Sequence, residues 1–188
     1  PDSVIAAAFN AIKTASEKID MSKHSGEHPR FGATDVCPLI PVSNITMDEL
    51  VPYAEKLAKK VSDELNIPIY LYENAAREDK RRNLANVRSG EYEGLKKKIN
   101  GNDWKPDFGK EFNKKSGATA IGVRDFLIAY NINLNTKSTR LANAIAFDVR
   151  EKGRIKRDGH PVIGEIVYDK DGNPESIPGS LKHVKAIG

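Results

Sequence analysis

The stretch Thr46–Tyr72, TMDELVPYAEKLAKKVSDELNIPIYLY, decides the fold class. Thr46, with Glu49 three residues on, is a capping box in which each side chain satisfies an orphan amide at a helix start. Behind it, Leu50, Ala54, Leu57, Ala58, Val61 and Leu65 recur at three- and four-residue spacings, which predicts a helix with one inward stripe. After Asn66, the segment Ile67–Tyr72 is short, mostly apolar and rich in β-branched and aromatic residues, so it reads as a strand. A helix that feeds directly into a strand implies an α/β layer.

Upstream, Val4, Ile5, Ala8, Ile12, Ala15 and Ile19 predict a helix over residues 3–20, with Asp2 or Ser3 as its cap. The apolar run Val36, Cys37, Leu39, Ile40, Val42 reads as a strand that Pro38 and Pro41 push towards a sheet edge or a bulge. Downstream, Glu73–Arg88 is charged and helix-prone, Gly90 breaks it, and Glu91–Ile99 reads as another short helix. Residues 104–117 then make a loop too long for a mere connector, and such loops in compact domains are often functional. Ala118–Val123 and Phe126–Leu134 are two further strand candidates, separated only by Arg124 and Asp125, which allows either a hairpin or a handover to a second unit. Thr136 or Ser138 caps a helix carrying Leu141, Ala144, Ile145, Phe147 and Val149. Residues 154–180 read as a hairpin, with Ile163–Tyr168 as one strand and Asp171-Gly172-Asn173-Pro174 as its turn, and Val184–Gly188 as the start of another strand.

At 188 residues and 39% hydrophobic, the chain has enough apolar side chains for a core, in one large domain or two small ones. Its longest apolar stretch, Phe126–Leu134, is too short to span a bilayer, and no charged-then-apolar leader opens it, so neither a membrane nor secretion is expected. The single cysteine, Cys37, forms no internal disulfide, fits a reducing cytoplasm and reads as a buried structural thiol. The chain starts without methionine and already inside a helical pattern, as a piece of a longer protein does. A net charge of +4 permits an anionic partner. Singly, the clusters Lys80-Arg81-Arg82, Lys96-Lys97-Lys98 and Lys114-Lys115 each read as a solvated face.

The densest chemistry lies in the loop His24-Ser25-Gly26-Glu27-His28-Pro29-Arg30-Phe31-Gly32-Ala33-Thr34-Asp35-Val36-Cys37-Pro38. Its opening matches H-x-x-E-H, a zinc-peptidase pattern that works only on a helical turn. Gly26 weakens a helix there and Pro29 disfavours the α region at His28, so no metal is expected. One imidazole acting as an acid-base catalyst on a stiff loop fits better, and His28 is the better candidate because Pro29 restricts it. Arg30 or Asp35 would orient the ring or bind an anionic substrate. The plainer reading makes both histidines ordinary surface residues at a helix end.

The order of that loop resembles the signature of the glutamate formiminotransferase family. So do Ile69-Tyr70-Leu71-Tyr72-Glu73-Asn74-Ala75-Ala76-Arg77, Arg81-Arg82-Asn83-Leu84, Arg88-Ser89-Gly90-Glu91-Tyr92-Glu93-Gly94-Leu95, Asp103-Trp104-Lys105-Pro106-Asp107-Phe108-Gly109, Gly117-Ala118-Thr119 and Phe126–Leu134, in family order. Only residues 154–178 match poorly and read as a variable insertion.

The resemblance implies transfer of the formimino group of N-formimino-L-glutamate to N5 of tetrahydrofolate, with His28 as the catalytic histidine. It places folate on the loop Gly109, Lys110, Glu111, Phe112, Asn113, Lys114, Lys115, Ser116, Gly117, with Arg30, Asp35 and Arg77 in support. It implies an α/β (α+β) fold of two ferredoxin-like subdomains, each a mixed β-sheet with helices packed on it, and an electropositive tunnel between them. Residues 1–125 would be the N-terminal subdomain without its first strands and helix, and residues 126–188 the beginning of the C-terminal one. A cytoplasmic homodimer acting on folate and formiminoglutamate, with no metal, nucleic acid or membrane partner, completes the expectation.

Two alternatives stand beside it. The same fold can move a formyl group or act on 5-formyltetrahydrofolate. A basic ferredoxin-like domain can instead bind RNA through aromatics on its central strands, for which Phe126 and Tyr130 are the candidates.

Overall fold

The computed structural model describes residues 1–26, 29–161 and 163–188. The chain divides into two units, Pro1–Ile128 and Ala129–Gly188. The first is built on a parallel sheet of three strands, β1 (Val36–Leu39), β2 (Ile69–Glu73) and β3 (Thr119–Val123), in the spatial order β1-β3-β2. Its helices are α1 (Asp2–Lys18), α2 (Met47–Leu65), α3 (Leu84–Arg88) and α4 (Glu91–Asn100). The α/β reading of Thr46–Tyr72 is therefore correct.

The capping box that starts α2 is complete. The Glu49 N–H donates to Thr46 Oγ1 at 3.3 Å, and the Thr46 N–H donates to Glu49 Oε2 at 2.8 Å. All five residues of β3 are buried. Parallel strands covered on both faces read as continuous apolar runs, and alternate side chains then serve two cores. Ile69, Leu71, Ile121 and Val123 pack with Ile5, Phe9 and Ile12 of α1 and with Leu50, Leu57 and Val61 of α2. Tyr70, Tyr72, Ala118 and Ala120 pack with Phe31, with Val87 of α3 and with Leu95 and Ile99 of α4. The inward stripe of α1 differs from the expected one at two positions: Val4 is exposed, and Phe9 is buried with the ammonium of Lys60 4.3 Å from its ring.

Two expected elements take other forms. The helix expected over Glu73–Arg88 is confined to α3 at its end; residues 74–83 are turns with a single 3₁₀ turn at Asp79–Arg81, where the Arg81 side chain is buried. Phe126–Leu134 forms no strand, and Phe126, Ile128, Tyr130 and Ile132 are exposed. An apolar run suits a strand, but a strand also needs a hydrogen-bonded neighbour, and none pairs with it among the described residues. RNA binding through central-strand aromatics thereby loses its basis, since β3 is the central strand and is covered on both faces.

In the second unit, Ser138 caps α5 (Thr139–Val149). The expected hairpin is two short antiparallel ladders, β4 (Arg154–Ile155) with β7 (Ser176–Ile177) and β5 (Arg157–Asp158) with β6 (Glu165–Ile166). Tyr168 bridges Pro174 around a turn in which Asp169 Oδ1 accepts the N–H groups of Asp171 and Asn173. Residues 184–188 form no strand. Among the described residues, no helix is long and apolar enough to cross a membrane.

Candidate functional site

The two loops singled out in the sequence meet. Residues 29–35 lead into β1 and residues 109–117 lead into β3, and ahead of that parallel pair the two loops meet in an isolated antiparallel bridge. The Ala118 N–H donates to Phe31 O at 3.0 Å, the Ala33 N–H donates to Ser116 O at 2.9 Å, and Gly32 bridges Gly117. Further back, the Met21 N–H donates to Lys115 O at 2.8 Å. The approach is so close that a Cβ on Gly117 would lie 2.1 Å from Phe31 O, and its φ of +67° is one that side chains rarely adopt.

Asp35 fastens the first loop. One carboxylate oxygen accepts the Phe31 N–H at 2.8 Å, and the other lies 2.5 Å from Nη2 of Arg88 in α3. Arg30 is held as firmly. Its guanidinium contacts Glu91 at 3.0 Å and Glu93 at 2.6 Å on the first turn of α4, and donates to His24 O at 3.3 Å. Those carboxylates, Glu93 foremost, raise the guanidinium pKa above its ordinary value, and the hydrogen bond from Arg30 lowers that of Glu93. Arg30 and Asp35 are thus committed to holding the loop. Arg77 sits elsewhere, paired with Glu55 of α2 at 2.9 Å and lying 4.9 Å from the ring of Phe108.

His24 is exposed. His28, the expected catalytic group, lies outside the described residues.

The second loop is rooted at Phe108, whose backbone pairs with Ile69 on the outer edge of β2. Within it, the Gly117 N–H donates to Asn113 O at 2.7 Å and the Ser116 N–H donates to Asn113 Oδ1 at 2.8 Å, while Asn113 Nδ2 donates to Asn66 O at 3.1 Å. Lys115 is spent on Glu17 O at 2.9 Å. Among the described residues, the exposed ammonium groups of Lys110 and Lys114 take no hydrogen-bond or ion-pair partner. An open cavity of about 480 Å³ is lined by Ser62, Asn66, Gly109, Lys110, Glu111, Phe112 and Asn113. Its size suits a small organic ligand, and Lys110 on its rim favours an anionic one.

Sequence reading missed the residues that hold these loops, namely Arg88, Glu91, Tyr92 and Glu93. They fall in one quoted block, Arg88–Leu95, but the only signal there is a Gly90 break followed by acidic residues, which reads equally well as an ordinary helix start.

Together these features define an α/β domain whose candidate site is a pair of interlocked loops at the leading ends of adjacent parallel strands. Residues 1–124 match the "Formiminotransferase domain, N-terminal subdomain" and residues 129–188 the "Formiminotransferase domain". A formimidoyltransferase-cyclodeaminase of Dictyostelium discoideum is 46% identical over 100% of this chain and 32% of its own length. A glutamate formimidoyltransferase of Thermoplasma acidophilum is 50% identical over 78% of this chain and 49% of its own, and one of Streptococcus pyogenes serotype M1 is 47% identical over 80% and 51%. The chain belongs to the formiminotransferase family, and it spans about a third to a half of these relatives.

Proposed function

We propose that the full-length protein transfers the formimino group of N-formimino-L-glutamate to N5 of tetrahydrofolate, yielding 5-formiminotetrahydrofolate and glutamate. Family membership and the names of the relatives support this reading. The observation that carries it on this chain is the junction of the Arg30–Asp35 loop with the Gly109–Gly117 loop, because it brings the segment that follows His28 against the expected folate segment. N5 attacks the amidine carbon, its proton leaves, and the tetrahedral intermediate collapses as the carbon–nitrogen bond to glutamate breaks and the departing amine takes up a proton. His28 is assigned as the general base on N5 and the source of that returning proton. The ammonium groups of Lys110 and Lys114, unpartnered among the described residues, are assigned to the carboxylates of the two substrates. The expected setting is a cytoplasmic homodimer, checked by light scattering on the full-length protein.

The deciding experiment is a formimino-transfer assay on the full-length protein and on His28→Ala, with N-formylglutamate as a competing donor. Turnover with the formimino donor and its loss in the variant are expected. Near-normal turnover in His28→Ala would refute the catalytic assignment, and a preference for the formyl donor would refute the assigned chemistry.

A further inference from the structure

Tyr92, on the first turn of α4, touches both loops at once. Its backbone N–H donates to Arg30 O at 3.0 Å, its hydroxyl donates to Lys114 O at 2.7 Å, and its ring packs 5.8 Å from that of Phe112. The residues on either side, Glu91 and Glu93, hold the Arg30 guanidinium. The turn that presents all three is itself unusual, with Gly90 at φ +85° and Glu91 at φ +52°. A non-glycine residue in that region persists only where its surroundings over-determine it, and such positions cluster at functional sites.

Direct hydrogen bonds join the two loops at their strand-proximal ends, at Phe31, Ala33, Ser116 and Ala118. Further out, Lys114 is held by Tyr92. We propose that Tyr92 is a positioning residue that clamps the outer part of the Gly109–Gly117 loop to the loop carrying Arg30, and thereby presents the folate-contacting segment. The proposal rests on the folate reading of Gly109–Gly117 given above. Tyr92 acts through Lys114 O and Phe112 rather than on reacting atoms, so its effect falls on tetrahydrofolate binding more than on the chemical step.

The test uses the full-length protein and Tyr92→Phe, which keeps the ring and deletes the hydroxyl. Amide hydrogen exchange in residues 109–117 is expected to accelerate, while that of β2 stays as in the wild type. The KM for tetrahydrofolate is expected to rise about three- to ten-fold, the size of one lost hydrogen bond, with kcat and the KM for formiminoglutamate within about two-fold of wild type. Unchanged exchange in 109–117, or a fall in kcat with an unchanged KM, would overturn the proposal. If the wild-type protein neither binds folate nor turns over, the functional reading fails, and the exchange data still decide whether Tyr92 holds the loop. Tyr92→Leu, which removes ring and hydroxyl but leaves the N–H on Arg30, is expected to accelerate exchange in 109–117 further. Acceleration spread evenly over the whole unit would mark a general packing role and also overturn the assignment.

Discussion

Arg81 Nη1 and Asp107 Oδ2 meet at 2.6 Å, with both side chains only 5% exposed. The same carboxylate oxygen accepts the Leu71 N–H at 2.8 Å, and Arg81 Nη2 donates to Lys105 O at 2.8 Å. The strand β2 lies at the edge of its sheet, and an edge strand presents unpaired backbone groups that must be covered. Asp107 covers Leu71, the Asp107 backbone N–H donates to Ile69 O at 2.8 Å, and the loop 109–117 departs directly from this seam. Arg81→Met would strand a buried carboxylate, and a loss of about 3–5 kcal/mol is expected in urea unfolding. Arg81→Met with Asp107→Asn is expected to lose less than the two single changes summed, because no charge is left unpaired.

The junction of the two loops depends on glycine. Gly117→Ala meets Phe31 O at 2.1 Å at a φ of +67°, so the strands must part or the turn must refold. A loss of more than about 1 kcal/mol, together with loss of folate binding, is expected from thermal melts and fluorescence titration. Gly94 in the interior of α4 is the contrasting case, since a Cβ there meets nothing within 4 Å beyond its chain neighbours and the backbone of its own helix. Gly94→Ala is expected to stabilise the protein by up to about 1 kcal/mol.

Much of this architecture is legible in the sequence, and the limits have physical causes. The Thr46 and Glu49 pair and the stripe behind it are local, so α2 and the strand that follows can be read from one window of chain. Phe126–Leu134 shows where a window fails: its apolar run is strand-like, but such a run carries no information about a partner to pair with. Arg81 reads as one of three solvated cations and is instead buried, because its partner Asp107 lies 26 residues away. The candidate site follows the same division. The two loops stand out in the sequence by their composition and length, whereas the Arg30 to Glu93 and Tyr92 to Lys114 contacts join segments 63 and 22 residues apart, and nothing local marks them.

Asp35 joins three elements through one residue. Its carboxylate takes the Phe31 N–H and the Arg88 guanidinium, and its own backbone oxygen accepts the Ala120 N–H of β3 at 2.8 Å. Asp35→Ala removes the first two contacts and leaves Arg88 partly buried without its carboxylate. A loss of about 1.5–3 kcal/mol is expected, the range for a hydrogen bond to a charged group. Asp35→Asn retains an acceptor for Phe31 and is expected to lose less; equal losses would show that Phe31 draws nothing from this side chain.

Lys98 makes stability depend on pH in the alkaline range. Its ammonium donates to Val87 O at 2.6 Å and to Asn86 O and Ser89 O at 3.1 Å, closing the C-terminal end of α3, and lies 4.2 Å from the ring centre of Trp104. Burial, with the like charge of Arg81 second, lowers its pKa from 10.5 to about 8. Between those values the unfolded chain holds a proton that the folded chain has released. Stability contributed by this group therefore rises as pH climbs from about 8 to about 10.5, and is flat below. Urea unfolding of the wild type and Lys98→Met across pH 7 to 10.5 isolates that slope as their difference. Parallel curves over the whole range would mean that the ammonium keeps its ordinary pKa, with the three carbonyls compensating its burial.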